Sequence, residues 1–121
     1  MADNAGRKRA LIVDDSVFIA ELMRRCLTMW GYEVDESHSV HAALQLFKQE
    51  HYDLALCDVD LQDGDGIFLA RALSKVNRSL VVVMISGNPE NIDRAREQGF
   101  KRYLRKPFDL GELKTLIDRD A

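Results

Sequence analysis

Three aspartates, a serine and a lysine are the residues of this chain whose types and positions suit chemistry. Asp14 and Asp15 close the apolar run Ala10-Leu11-Ile12-Val13, and Asp58 closes Leu54-Ala55-Leu56-Cys57. Ser86 closes the run from Leu80 to Ile85, and Lys106 stands just beyond Arg102-Tyr103-Leu104. Carboxylates gathered in one place repel one another at neutral pH unless a cation joins them. Hard oxygen donors, few in number and with room for waters, suit Mg2+ better than a caged Ca2+. One hydroxyl and one ammonium added to them make a site for a phosphoryl group, whose oxygens metal and lysine neutralise. An aspartate can itself be the nucleophile and form an acyl phosphate. The pattern brings no histidine near enough to act as general base, so such a site works by positioning and charge neutralisation.

These residues can meet only if the elements carrying them line up. The apolar runs read as strands covered on both faces, with Glu33 to Ser37 a weaker, alternating one. Five helical segments lie between and after them. Ser16 caps the first, with Ile19, Leu22, Met23, Cys26 and Leu27 on one stripe and Gly31 ending it. Ser39 caps the second, the third runs from about Ile67 to Lys75, the fourth begins at Pro89 and stops near Gly99, and Asp109 caps the last. The alternation predicts an α/β (βα)5 chain with a doubly wound, five-stranded parallel sheet of order 2-1-3-4-5. Ligands of such sheets bind outside the carboxyl ends of the strands at the topological switch point, here between strands one and three. That brings together Asp15 and Asp58, 43 residues apart in the chain.

Composition sets the outer limits. With 121 residues, 46% of them hydrophobic, the chain fits one domain with one modest core. Its longest apolar run, Leu80 to Ile85, is six residues, against about 20 for a membrane-spanning helix. Residues 1–9 are polar and basic with no apolar stretch, so no secretory signal is read there and the protein is expected in the cytoplasm. A net charge of −3 gives no bulk case for direct nucleic-acid binding. Cys26 and Cys57, without a CxxC spacing, read as reduced core thiols. His38 and His41 lack partners to complete a metal site, Asp63-Gly64-Asp65-Gly66 reads as a turn, and no glycine-rich dinucleotide fingerprint follows the first strand.

In order and at strand ends, these residues resemble the response regulator receiver domain of two-component and phosphorelay signalling, from about Arg9 to Ile117. Leu11-Ile12-Val13-Asp14-Asp15-Ser16 resembles the family's acidic pair, Asp58 its phosphoacceptor, and Gly66 the glycine closing the following loop. Ser86-Gly87 resembles its hydroxyl residue and small successor, Tyr103 its aromatic switch, and Lys106-Pro107-Phe108 its lysine, a proline after a cis peptide, and an aromatic. The resemblance implies a flavodoxin-like, CheY-like fold, a tail over residues 1–8 and a receiver over 9–121. It implies that a sensor histidine kinase or histidine phosphotransfer protein donates a phosphoryl group to Asp58. Mg2+, with Mn2+ as a substitute, would be held by Asp15, Asp58 and the backbone carbonyl of Asp60, with Asp14 acting through water. Ser86 and Lys106 would hold phosphate oxygens. Movement of Ser86 toward the phosphate would let Tyr103 turn inward and change the face of the fourth helix, fifth strand and fifth helix. The family is a phosphoacceptor rather than a turnover enzyme, and its output is a downstream protein target or an attached effector domain.

Departures from the family pattern lie close to the site. Gln62 replaces the usual proline four residues after the phosphoacceptor, and Asp60 and Asn88 occupy the two positions that tune phosphoryl lifetime in the family. Lys101-Arg102, with Arg94, Arg96 and Arg105, makes a locally basic stretch where receivers that dimerise through this face often carry acids. Two other readings compete. Asp58-Val59-Asp60 resembles the nucleophile motif of haloacid-dehalogenase-like phosphatases, but their acidic pair follows the lysine. A receiver-like scaffold without phosphorylation usually loses an acid or the lysine, and all are present here. Met1 favours a native start, while the end at Ala121 suits either a stand-alone regulator or a receiver followed by an output domain.

Overall fold

The computed structural model describes residues 6–119. In chain order the elements are β1 (Arg9–Val13), α1 (Val17–Met29), β2 (Glu33–Ser37), α2 (Val40–Gln49), β3 (Leu54–Asp58), β4 (Asp60–Leu61), β5 (Gly64–Asp65), α3 (Gly66–Val76), β6 (Val81–Ser86), α4 (Pro89–Glu97), β7 (Tyr103–Arg105) and α5 (Leu110–Asp118). Five strands form one parallel sheet of order β2-β1-β3-β6-β7. This is the expected order 2-1-3-4-5, with the short antiparallel pair β4 and β5 interposed in the numbering. Of the tail expected over residues 1–8, residues 1–5 lie outside the described residues, and pairing already begins at Lys8, whose carbonyl accepts from Glu33 N at 2.9 Å.

The central strands β1, β3 and β6 are mainly apolar because their side chains alternate between two covered faces, whereas the edge strand β2 is mostly polar. Leu11, Val13, Ala55, Cys57, Val82 and Met84 face a layer containing Ala43 of α2, Leu69, Ala70 and Leu73 of α3, and Ala95 of α4. Ala10, Ile12, Leu54, Leu56, Val83 and Ile85 face Ala20, Met23 and Leu27 of α1 and Leu113 of α5. Burying one such Leu, Ile or Val is worth about 1.5–3 kcal/mol before entropy is charged against it. The helices start where their capping residues predict. Ser16 and Ser39 accept from Ile19 N and Ala42 N, and Asp109 forms a reciprocal capping box with Glu112.

Two details differ from what the sequence predicts. The last strand runs one residue later than expected, Tyr103 to Arg105 being in register with β6, while the Arg102 carbonyl before it accepts from Met84 N at 3.0 Å. The stretch Asp63 to Gly66, expected as a simple turn, closes the β4–β5 hairpin, and Asp65 caps α3 by accepting from Ile67 N. Asp63 accepts from Val40 N at 2.8 Å and His41 N at 3.0 Å, fastening the hairpin to the start of α2. These backbone bonds hold the Asp63 carboxyl below the ordinary range. Among the described residues, no helix is long and apolar enough to cross a membrane.

Candidate functional site

Parallel pairing brings the carboxyl ends of β1, β3 and β6 to one edge. Val13 is in register with Cys57, Asp58 with Ile85, and Ser86 with Arg105. Asp14, Asp58, Ser86 and Lys106, each in or one residue beyond these pairs, therefore stand along the same edge. Asp14, Asp15 and Asp58 each offer an oxygen, and these oxygens lie within 4.8 Å of one another. Asp14 is fully buried and Asp58 is 5% exposed, while Asp15 lies toward the rim. The backbone after Asp58 is held open by Gly66, whose N–H donates to Val59 O at 2.8 Å. A Cβ at Gly66 would overlap the Asp58 carbonyl oxygen and sit 2.8 Å from its carbon. Only glycine lets the two segments approach this closely.

Lys106 follows β7, preceding a cis peptide to Pro107 as expected. Its Nζ lies 3.0 Å from Asp14 Oδ2 and donates to Asp58 Oδ2 at 3.2 Å. The contact to Asp14 Oδ2 is an ion pair, and Lys106 is the only cation that meets this buried oxygen among the described residues. The other Asp14 oxygen accepts from Ser16 N at 2.9 Å. Burial and the Asp14 charge push the Asp58 carboxyl up to about 6, although Lys106 and the Asp60 N–H pull the other way. Burial opposes the charged form of Lys106, but the negative charges of Asp14 and Asp58 outweigh it and hold its pKa above the ordinary value. One ammonium thus serves two buried carboxylates and leaves a third beside them. Three clustered carboxylates against one ammonium leave excess negative charge that a divalent cation would offset. The donor set, three carboxylates, fits Mg2+.

The remaining expected residues divide into those at the crevice and those turned from it. Ser86 is buried at its edge, but its hydroxyl faces Asp60 Oδ2 at 3.4 Å and accepts from Asn88 N at 3.0 Å. Asp60 is exposed, and its backbone N–H donates to Asp58 Oδ1 at 3.2 Å. Asn88 caps α4, accepting from Glu90 N at 2.9 Å. Tyr103 is half-buried against the α2, α3 and α4 layer. Asn91, on the first turn of α4, escaped the sequence reading: it is buried and its amide donates to both carboxylate oxygens of Asp60 at 2.9 and 3.0 Å. Only its place five residues after Ser86 hints at such a role.

The basic stretch is less of a charged face than its composition suggests. Arg102 is buried and donates to Leu116 O at 3.0 Å and Arg119 O at 2.7 Å, serving the carboxyl end of α5. Arg94 pairs with Asp65 and Arg96 with Asp93. A cavity of about 460 Å3 lined by Arg71, Lys75, Arg78, Phe100 and Lys101 lies at the opposite edge of the sheet and touches none of the expected site residues.

Comparison with known proteins agrees with this geometry. The family model of the response regulator receiver domain matches residues 10–118. The response regulator protein PilR of Pseudomonas aeruginosa is 34% identical over 113 residues, covering 92% of this chain and 25% of PilR. A receiver domain protein of Methanospirillum hungatei superposes with a TM-score of 0.84 at 30% identity, covering 93% of this chain and 91% of that one. The regulator TrrA of Thermotoga maritima, solved in complex with Mg2+-BeF, superposes with a TM-score of 0.82 at 27% identity, covering 91% and 96% of the two chains. The chain spans about a quarter of the length of the curated regulators it matches, 25% to 26% in PilR and in ZraR of Salmonella typhimurium.

Proposed function

The chain belongs to the response regulator receiver domain family of two-component signalling, and on that footing we propose that it accepts a phosphoryl group on Asp58 and relays it as a change of surface. The family assignment favours this reading over the phosphatase one, and we read the reaction as a single transfer rather than turnover. The proposal rests on the buried carboxylate pair Asp14 and Asp58 sharing the single ammonium of Lys106, with an oxygen of Asp15 within 4.8 Å of theirs. This is an anionic pocket built for a cation and a second, transferred anion. The relative TrrA, solved with Mg2+-BeF, supports the same assignment.

Asp14, Asp15, Asp58 and the carbonyl of Asp60 would hold Mg2+, with Mn2+ as a substitute. The ion would neutralise the carboxylates and the charge developing on the phosphoryl oxygens. The Asp58 carboxylate attacks phosphorus, forming an O–P bond as the N–P bond of a partner's phosphohistidine breaks. Lys106, already poised at two carboxylates, takes a phosphoryl oxygen as its new anionic partner. Ser86 turns its hydroxyl from Asp60 to another phosphoryl oxygen, and Tyr103 follows into the space left behind. The face of α4, β7 and α5 changes and meets a downstream protein or an attached effector domain. Asp60 and Asn88, beside the reacting group, set its lifetime. The donor is a sensor histidine kinase or histidine phosphotransfer protein, docking against exposed Val17, Phe18 and Leu22 of α1 next to the acidic pair. We place the receiver at residues 9–121 behind a short tail, 1–8, working in the cytoplasm.

The test is incubation with a small acyl phosphate. Wild-type protein should take up one acid-labile phosphoryl group per chain only when Mg2+ or Mn2+ is present, and Asp58→Asn should take up none. Equal uptake with a chelator present, or by Asp58→Asn, would sink the proposal.

A further inference from the structure

Asn91 stands at the centre of a polar network that joins α4 to the two strands following Asp58. Its Nδ2 donates to Asp60 Oδ1 at 2.9 Å and Oδ2 at 3.0 Å, and Ser86 Oγ lies 3.4 Å away. Its Oδ1 accepts from Arg94 at 3.1 Å. A guanidinium only donates, so the amide has one orientation, with its NH2 toward Asp60. The other arm of Arg94 reaches Asp65 Oδ2 at 2.6 Å. Asp60 and Asp65 are cross-strand partners in the β4–β5 hairpin. Two side chains one helical turn apart therefore grip both strands of the hairpin, and one of them also touches the switch serine.

We propose that Asn91 is a positioning residue that latches Asp60 and Ser86 in the unphosphorylated arrangement and keeps the first turn of α4 docked until Asp58 is phosphorylated. The inference rests on the reading of Asp58 as phosphoacceptor. Ser86 has a single hydroxyl proton, and it faces Asp60 Oδ2 at 3.4 Å. Donating to a phosphoryl oxygen requires giving up Asp60. The new phosphoryl charge on Asp58 repels the Asp60 carboxylate two residues away, straining its bonds to Asn91. Asn91 is buried and carried on α4, so the strain falls on that helix. A hydrogen bond to a carboxylate is among the stronger ones, and it exists here in only one of the two states.

The experiment measures the apparent dissociation constant of beryllofluoride in saturating Mg2+ for wild type, Asn91→Ala, Asp60→Ala and the double variant. Asn91→Ala should bind about three- to tenfold tighter, as expected when one charge-assisted bond is removed from the resting state. In the Asp60→Ala background the same change should have a much smaller effect, because both bonds to the Asp60 carboxylate are already gone and only the 3.4 Å contact with Ser86 Oγ remains. Arg94→Met, which frees the Asn91 amide from its exposed side, should tighten binding by about twofold or more and decides the matter should Asn91→Ala not fold. Unchanged or weaker binding in Asn91→Ala, or an equal change in both backgrounds, overturns the latch, the latter because general loosening of the fold would act in both. Wild type that binds no beryllofluoride overturns the functional reading itself, and the latch with it.

Discussion

At Asp58 the protein bears a local cost for its reactivity. The folded carboxyl titrates near 6 against an ordinary 3.8 because it is buried beside Asp14. Between those values the folded state binds more protons than the unfolded one, so stability falls as pH rises through that window and the full cost is felt above it. Asp58→Asn should therefore stabilise the metal-free protein at pH 7.5 by about 1–3 kcal/mol and leave it unchanged near pH 3.5, measured by denaturant unfolding at the two pH values. Gly66→Ala should act the other way, because a Cβ meets the Asp58 carbonyl and the backbone must shift. A loss of about 3 kcal/mol or more is expected in the same assay, together with slowed phosphorylation. The aspartates, Ser86 and Lys106 were legible because each ends an apolar run. Asn91 was not, since a buried asparagine and an exposed one look alike on an amphipathic helix, and only tertiary contact with Asp60 distinguishes them.

Among the elements, α1 and β7 carry the next consequences. Phe18 is 76% exposed on α1, beside the strand end that bears Asp14 and Asp15. Phe18→Asp should lower the rate of transfer from a phosphohistidine-bearing partner by about tenfold or more, as loss of an apolar anchor does, while the rate from a small acyl phosphate stays the same. Arg102 ties the start of β7 to the end of α5. Arg102→Leu leaves the carbonyls of Leu116 and Arg119 without that donor and should cost about 1–3 kcal/mol in unfolding free energy. Its sequence neighbourhood of lysines and arginines disguised this role as surface charge. The β4–β5 hairpin was hidden for another reason. Strands of two residues have no periodicity to read, and the contacts that hold them, Asp63 to α2 and Asp65 to Arg94, span 22 to 29 residues of chain.

Over the whole molecule, the alternation of buried runs and capped amphipathic segments was enough to read the strand order, because right-handed crossovers leave few ways to stack (βα)5. The site followed from that order, since a parallel sheet puts its strand ends on one edge. The net charge of −3 did not, being an average over a buried acidic pocket and a surface on which Arg94 and Arg96 are paired with Asp65 and Asp93. A ligand that binds only the folded state stabilises the entire fold, so Mg2+ at about a hundredfold excess over its Kd should add about 2–3 kcal/mol, raising Tm in wild type and much less in Asp15→Asn. The most direct test of the account is the position of the phosphoryl group. Protein phosphorylated by an acyl phosphate in Mg2+ is reductively trapped, digested and mapped by peptide mass. Label is expected at position 58 and at no other residue; label at Asp14, Asp15 or Asp60, or on a residue outside the crevice, would overturn Asp58 as the phosphoacceptor.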